Sequence, residues 1–205
     1  MLSIGLDGGK GHLGLFMRGY FGIGIEGAHK PMNLGNLFRT AHGFGASFVF
    51  TVGADDRVQA RPSDTSKTEG NVPLYHVDSV DALHLPVGCA LVAVELTDDA
   101  IDLPSFRHPR NAAYILGAEM FGLSESVMDR ADHVIKIPTK FSLNVATAGA
   151  IIMYDRVSTL GQFAPRPVRV GGPTEPAPGG RPAGPRARRS TRERIEVARN
   201  GTKEQ

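Results

Sequence analysis

The run from Ile137 to Asp155, IPTKFSLNVATAGAIIMYD, constrains this chain more than any other. It opens as a short apolar strand that ends at Pro138. A tight polar corner follows from Thr139 to Ser142, and Ser142 to Tyr154 then carries no charge. Ser142 is predicted as a helix N-cap. The small residues Ala146, Ala148, Gly149 and Ala150 suit a helix that neighbours approach closely. A helix apolar on every side is expected to be buried on every side. It is too short for a bilayer, which needs about 20 residues. Ser142 and Asn144 stand at its mouth, where free backbone N–H groups gather, so a ligand is expected there.

Upstream, apolar strands alternate with helices. Tyr20 to Glu26 (YFGIGIE) alternates as a strand does. Its Gly22-x-Gly24-x-x-Gly27 matches a dinucleotide fingerprint only formally, because those glycines belong in the turn after a strand. Inside a strand they mark close backbone approach. Asn33 to Phe44 is predicted as a helix capped by Asn33 and closed by Gly45, with Leu34, Leu37, Phe38, Ala41 and Phe44 on one face. Strands are predicted over 46–53, 72–77, 89–96, 111–117 and 133–137. Short helices are predicted at 79–83 and, capped by Ser124, through Arg130. Residues 55–70 form a polar loop and 98–110 a connection. The pattern predicts an α/β fold, a parallel sheet with helices on both faces. Ligands in such sheets sit at the carboxyl ends of strands. Glycine-rich or polar corners fall there after Glu26, Leu116 and Ile137.

Charge separates the last part of the chain from the rest. Residues 165–205 hold ten Lys/Arg and four Glu, whereas the remainder holds 13 basic and 17 acidic residues. That Pro/Gly-rich stretch lacks the apolar residues to fold and is expected to be a disordered basic tail with an anionic partner. Residues 1–16 show no period and are expected to be disordered or to precede the true start at Met17. The domain is then 17–164. A lone Cys89 excludes an intramolecular disulfide and a multi-cysteine metal site. With no secretory h-region and no long apolar run, a cytoplasmic protein without membrane contact is expected.

The seven histidines are scattered without metal spacing, no Gly-x-Ser-x-Gly elbow is present, and Cys89 sits in an apolar run. Glycine corners, one Arg, one Glu and a Ser/Asn pair remain. That set positions a preactivated donor better than it hydrolyses. The residues alone lead to an α/β ligand-binding protein with an anionic substrate.

Three stretches together resemble the SpoU-type (TrmH-like) branch of the SPOUT RNA methyltransferases. Asn33-Leu-Gly-Asn-Leu-Phe-Arg39-Thr-Ala resembles N-x-G-x-x-x-R-T-A. Ile115-Leu-Gly117-Ala-Glu119-Met-Phe-Gly122-Leu-Ser124 resembles L-G-x-E-x-x-G-L-S. Ile137-Pro138 with Ser142-Leu-Asn144-Val-Ala146 resembles the third motif. The resemblance covers residues 18–162. It implies a deep C-terminal trefoil knot, S-adenosyl-L-methionine held in it without any metal, a homodimer, and methyl transfer to a ribose 2′-hydroxyl of tRNA or rRNA. Backbone groups of Gly117, Ile137 and Leu143 would hold the adenosine. Glu119 would orient the second corner, Asn33 would shape the first motif, and Ser142 and Asn144 would bond the knot loops or the methionine end. Arg39 would face the substrate across the dimer. A guanidinium is a poor base at neutral pH, so Arg39 is expected to clamp phosphate and align the ribose. The corner Thr139-Lys140-Phe141 is shorter than the family's, which tightens the chain over the cofactor. Two other readings stay open: a knotted RNA-binding protein without catalysis, and base methylation by the same fold.

Overall fold

The computed structural model describes residues 19–55, 72–161, 163, 166–167 and 170–171. The expected start region, almost all of the polar loop and nearly the whole basic tail lie outside the described residues. Residues 19–161 belong to one unit.

Residues apolar at consecutive positions can be satisfied only between two covered faces, and the strands built from them are central. They are β1 (Phe21–Glu26), β2 (Phe48–Val52), β4 (Ala90–Val94) and β6 (Ala112–Gly117). With β3 (Leu74–Val77), β5 (Ile101–Asp102) and β7 (His133–Lys136) they form one sheet of order β3-β2-β1-β6-β4-β7-β5. Every pairing is parallel, with Glu26 beside Gly117 and Val94 beside both Leu116 and Ile135. One face packs Ile23, Tyr114 and Ile135 against helices α1 (Pro31–Phe44) and α3 (Val145–Leu160). The other packs Phe50, Ala93 and Ile115 against Val127 of α2 (Glu125–Arg130) and against Val80 and Leu83. The glycines of β1 make room on this second face. A Cβ on Gly22 would lie 2.2 Å from the Phe48 ring, and one on Gly24 2.6 Å from Phe50.

Several boundaries differ from the sequence expectation. Helix α1 begins at Pro31 with Lys30 as N-cap, not at Asn33. Proline is favoured in the first turn because its fixed φ suits the helix and its missing N–H has no partner there anyway. Asn33 thus lies inside the first turn with its amide free for other work. Gly45 closes the helix in the left-handed region (φ 75°), as expected. Helix α3 is capped by Asn144, not Ser142: Asn144 Oδ1 accepts from the N–H groups of Ala146 (3.0 Å) and Thr147 (3.3 Å). Ser124 caps α2 as expected, accepting from Val127 N–H at 3.3 Å. Residues 79–83 form bonded turns, not a helix, being too few to offset helix nucleation. The 98–110 connection holds the two-residue strand β5 and a 3₁₀ turn at Leu103–Ser105, both set by contact with β7 and α3.

Helix α3 is not buried on every side. Gly149, Ile152, Met153 and Arg156 face the interior, while Thr147 and Tyr154 are exposed. A Cβ on Gly149 would sit 2.4 Å from Leu37 Cδ1, so the glycine sets how closely α1 and α3 approach. Arg156 is fully buried among main-chain acceptors. Its guanidinium donates to the carbonyls of Pro109 (2.6 Å), Arg110 (2.5 Å) and Tyr20 (3.3 Å) and to the Tyr114 hydroxyl (3.0 Å). It also lies over the Phe21 ring, 5.3 Å from the centroid. Burial pushes the Tyr114 hydroxyl up to about 12. His108 links that hydroxyl (2.6 Å) to Asp155 (2.9 Å). Burial also raises the Cys89 thiol above its ordinary value, in keeping with an unreactive cysteine. No helix among the described residues is long and apolar enough to cross a membrane.

Candidate functional site

A parallel sheet gathers its strand-to-helix corners at one edge, and here those after β4, β6 and β7 enclose a cleft. The second corner, 118–124, folds back on itself through bonds from Phe121 and Gly122 N–H to the Ala118 carbonyl (3.2 and 3.1 Å). Gly122 adopts φ 65°, where side chains are strained. Gly117 has no room for a side chain, since a Cβ would lie 2.2 Å from the Gly122 carbonyl carbon. Two carboxylates grip the far end of the corner. Glu26 accepts from the Ser124 N–H (2.8 Å) and hydroxyl (2.7 Å). Glu95 accepts from the N–H groups of Leu123 (2.8 Å) and Leu96 (2.9 Å). Sequence reasoning assigned neither a role. Their signal is an acid immediately at the carboxyl end of an apolar strand, where loop N–H groups converge.

The third corner is pinned by the Thr139 hydroxyl, which donates to the Phe141 carbonyl at 2.9 Å. Between the second and third corners lies the cleft. Leu116, Gly117, Ile137, Leu143, Val145 and Ala148 supply its apolar walls, and Glu95, Glu119, Thr139 and Ser142 its polar edge. Gly117, Ile137, Leu143, Glu119 and Ser142, singled out from sequence, therefore meet in one place.

A polar cluster stands beside the cleft. Glu119 Oε1 accepts from the amides of Asn33 (3.1 Å) and Asn144 (2.6 Å), and its other oxygen pairs with the Lys30 ammonium. Asn144 also donates to Asn33 Oδ1 at 3.2 Å. The Lys30 hydrogen bond, helped by that ion's attraction and both amides, holds the Glu119 carboxyl below its usual range against an opposing push from burial. Glu119 is thus ionised at neutral pH and occupied with donors. It orients the three corners and is unsuited to taking a proton. Lys30 was not anticipated from sequence; its position as N-cap of α1 brings it here.

Arg39 is not part of this cluster. Six residues after Asn33, it lies about 9 Å further along α1, at 1.5 Å per residue. It is exposed on a stripe with Met32 and Asn36. Among the described residues no group of three or more His, Cys, Asp or Glu is placed to hold a metal ion.

The model of the SpoU rRNA Methylase family matches residues 21–154. The tRNA (guanosine(18)-2′-O)-methyltransferase of Escherichia coli (strain K12) is 31% identical over 137 residues, covering 64% of this chain and 60% of that protein. The chain thus spans about three fifths of that relative's length. The SpoU methyltransferase AviRb from Streptomyces viridochromogenes superposes with a TM-score of 0.58 at 25% identity, covering 70% of this chain and 61% of AviRb. An AdoMet-bound rRNA methyltransferase from Sinorhizobium meliloti shares the fold, with a TM-score of 0.60 at 24% identity over 70% of this chain and 57% of that one.

Proposed function

Since the chain belongs to the SpoU rRNA methylase family, we propose that it transfers a methyl group from S-adenosyl-L-methionine to a ribose 2′-hydroxyl of tRNA or rRNA. The observation that carries this reading is the meeting of Asn33 from the first turn of α1, Glu119 from the second corner and Asn144 from the cap of α3 beside a single cleft.

The cleft fits the cofactor's chemistry. Its apolar walls, with Leu116, Ile137, Leu143, Val145 and Ala148, suit an adenine ring. The cofactor supplies an activated methyl group on a sulfonium that is already a good leaving group. Gly117, Ile137 and Leu143 hold the adenosine end, while Ser142, Asn144, Glu119 and Asn33 fix the loops around the reacting end. Arg39 brings a guanidinium from the exposed face of α1 to an RNA phosphate and so aligns the ribose. Transfer to bulk RNA followed by nucleoside mass spectrometry is expected to yield 2′-O-methylated nucleosides. Methylated bases instead would sink the ribose assignment. Arg39→Ala is expected to lower transfer by about 100-fold or more, in line with lost alignment, with cofactor affinity unchanged in calorimetry.

The active form in this reading is a homodimer that brings Arg39 to the partner's cleft. The outward face of α3, with Thr147, Ala150, Ile151 and Tyr154, is uncharged, and Tyr154 is 59% exposed in the single chain. Sedimentation velocity at micromolar concentration is expected to show a dimer; a monomer would remove the partner from the mechanism. The same reading includes the knot. In its favour, α3 returns from β7 to pack on α1 and β6, two strands away across β4. An experimentally traced chain without a threaded loop would exclude it.

A further inference from the structure

Large apolar side chains in solvent are ordinary when scattered, but here several gather around one opening. Phe121 is 82% exposed at the tip of the second corner, and Phe141 is 72% exposed in the third. Met120, 69% exposed, belongs to the same rim. Each Phe sits between residues that line the cleft, Met120 and Gly122 for one, Thr139 and Ser142 for the other. Phe121 and Phe141 thus belong to the two corners between which the cleft lies, and both rings are in solvent. Their backbones are fixed: Phe121 N–H is bonded to Ala118, and the Phe141 carbonyl is bonded to the Thr139 hydroxyl. Rigid backbone with solvated rings is a poor arrangement for a core and a good one for a flat ligand.

A cation stands at the rim beside one of the rings. Glu26, Glu95 and Glu119 are all occupied by N–H or ammonium donors. Lys140, adjacent to Phe141, is exposed. Exposed aromatic faces beside a cation match an unpaired nucleotide, whose base has a π-face and whose phosphate is negative.

We propose that Phe121 and Phe141 form a stacking platform for unpaired nucleobases next to the ribose being methylated. The inference rests on the RNA methylation reading. It identifies the substrate at this rim as single-stranded RNA, with the base splayed out of any helix.

The test uses the full chain and oligoadenylate of about a dozen nucleotides, within the site sizes of single-strand binders. Its partner probe is an abasic oligoribonucleotide of equal length, with the same phosphates and no bases. In fluorescence anisotropy, Phe121→Ala and Phe141→Ala should each weaken oligoadenylate binding roughly 5- to 150-fold, the range for one lost stacking partner. Abasic binding and S-adenosyl-L-methionine affinity should stay unchanged, which also certifies the fold. Phe→Tyr should retain oligoadenylate affinity and Phe→Leu should not, because the ring is what acts. Equal losses on both oligonucleotides, or none, would overturn the platform. So would Ala variants that dissociate from dimer to monomer in sedimentation, which would make the rim an interface between copies. If the wild-type protein methylates RNA while the Ala variants bind normally, only the platform fails. If it binds the cofactor but neither methylates nor binds RNA, the RNA reading falls with it.

Discussion

Gly117→Val abolishes cofactor binding while the sheet stays folded: that is the expected result, and the geometry around the second corner sets its size. A Cβ at 117 would lie 2.2 Å from the Gly122 carbonyl carbon, 2.4 Å from its oxygen and 2.6 Å from Leu123 N. All three are backbone atoms, so no side chain can swing away. The backbone cannot easily yield either, because Gly122 is bonded to Ala118, Leu123 to Glu95 and Ser124 to Glu26. Overpacking of this kind typically costs about 1–3 kcal/mol, which a corner at the sheet's edge can relieve by opening. Opening moves Glu119 off Asn33 and Asn144 and widens the cleft. A loss of cofactor affinity of about 100-fold or more is expected, as misplacement by about 1 Å can cost that much in a positioned site. Calorimetry with S-adenosyl-L-methionine, beside a urea titration showing a cooperative transition, checks both halves. Normal binding by a folded variant would show that the corner tolerates a side chain. The glycine is required by the loop's own return, a tighter constraint than approach to a ligand.

The second large effect lies at the opposite edge of the sheet. Arg156→Leu removes the donor shared by the carbonyls of Pro109, Arg110 and Tyr20 and by the Tyr114 hydroxyl. Tyr20 keeps a bond from Ala112 N–H and Tyr114 keeps His108, but among the described residues no other donor reaches the carbonyls of Pro109 and Arg110. Each buried polar group left unsatisfied costs about 1–3 kcal/mol, and lost packing of the guanidinium on Phe21 adds to it. A total of roughly 3–5 kcal/mol is expected, a large share of the 5–15 kcal/mol typical of a domain. Lysine should not rescue it, because a single ammonium cannot reproduce a planar fork reaching several acceptors. The shift of the urea midpoint measures the effect. A shift corresponding to less than about 1 kcal/mol would mean that water or a rearranged loop satisfies the carbonyls.

Arg156 also shows what a sequence conceals. The uncharged run ends at Tyr154, and Arg156 lies two residues beyond it. Yet Gly149, Ile152, Met153 and Arg156 follow the i, i+3, i+4, i+7 rule, so the periodicity put Arg156 on the buried face all along. Its charge argued against the position, and only the main-chain acceptors supplied by remote segments make it tolerable. The central strands β4 and β6 were legible because unbroken apolar runs have few other fates, and β1 because it alternates as a strand does. Strand β5 was not, because two residues carry no period and are held by β7. Helix starts slipped for local reasons: Pro31 and Asn144 outcompeted the chosen caps. At the site, the corners and their glycines were visible in sequence. The carboxylates Glu26 and Glu95 were not, since their partners are loop N–H groups that converge only in three dimensions.

The polar cluster has a further implication for how this chain comes to work. Asn33 and Glu119 are 86 positions apart, and Asn33 and Asn144 are 111 apart. Contacts of such separation form late, after the loop-closure entropy of nearly the whole unit has been overcome. No half-folded intermediate, and no fragment ending before α3, can then offer a partial version of the site. A ligand that binds only the completed cleft reads out global folding, and by linkage it stabilises the whole sheet, not one corner of it.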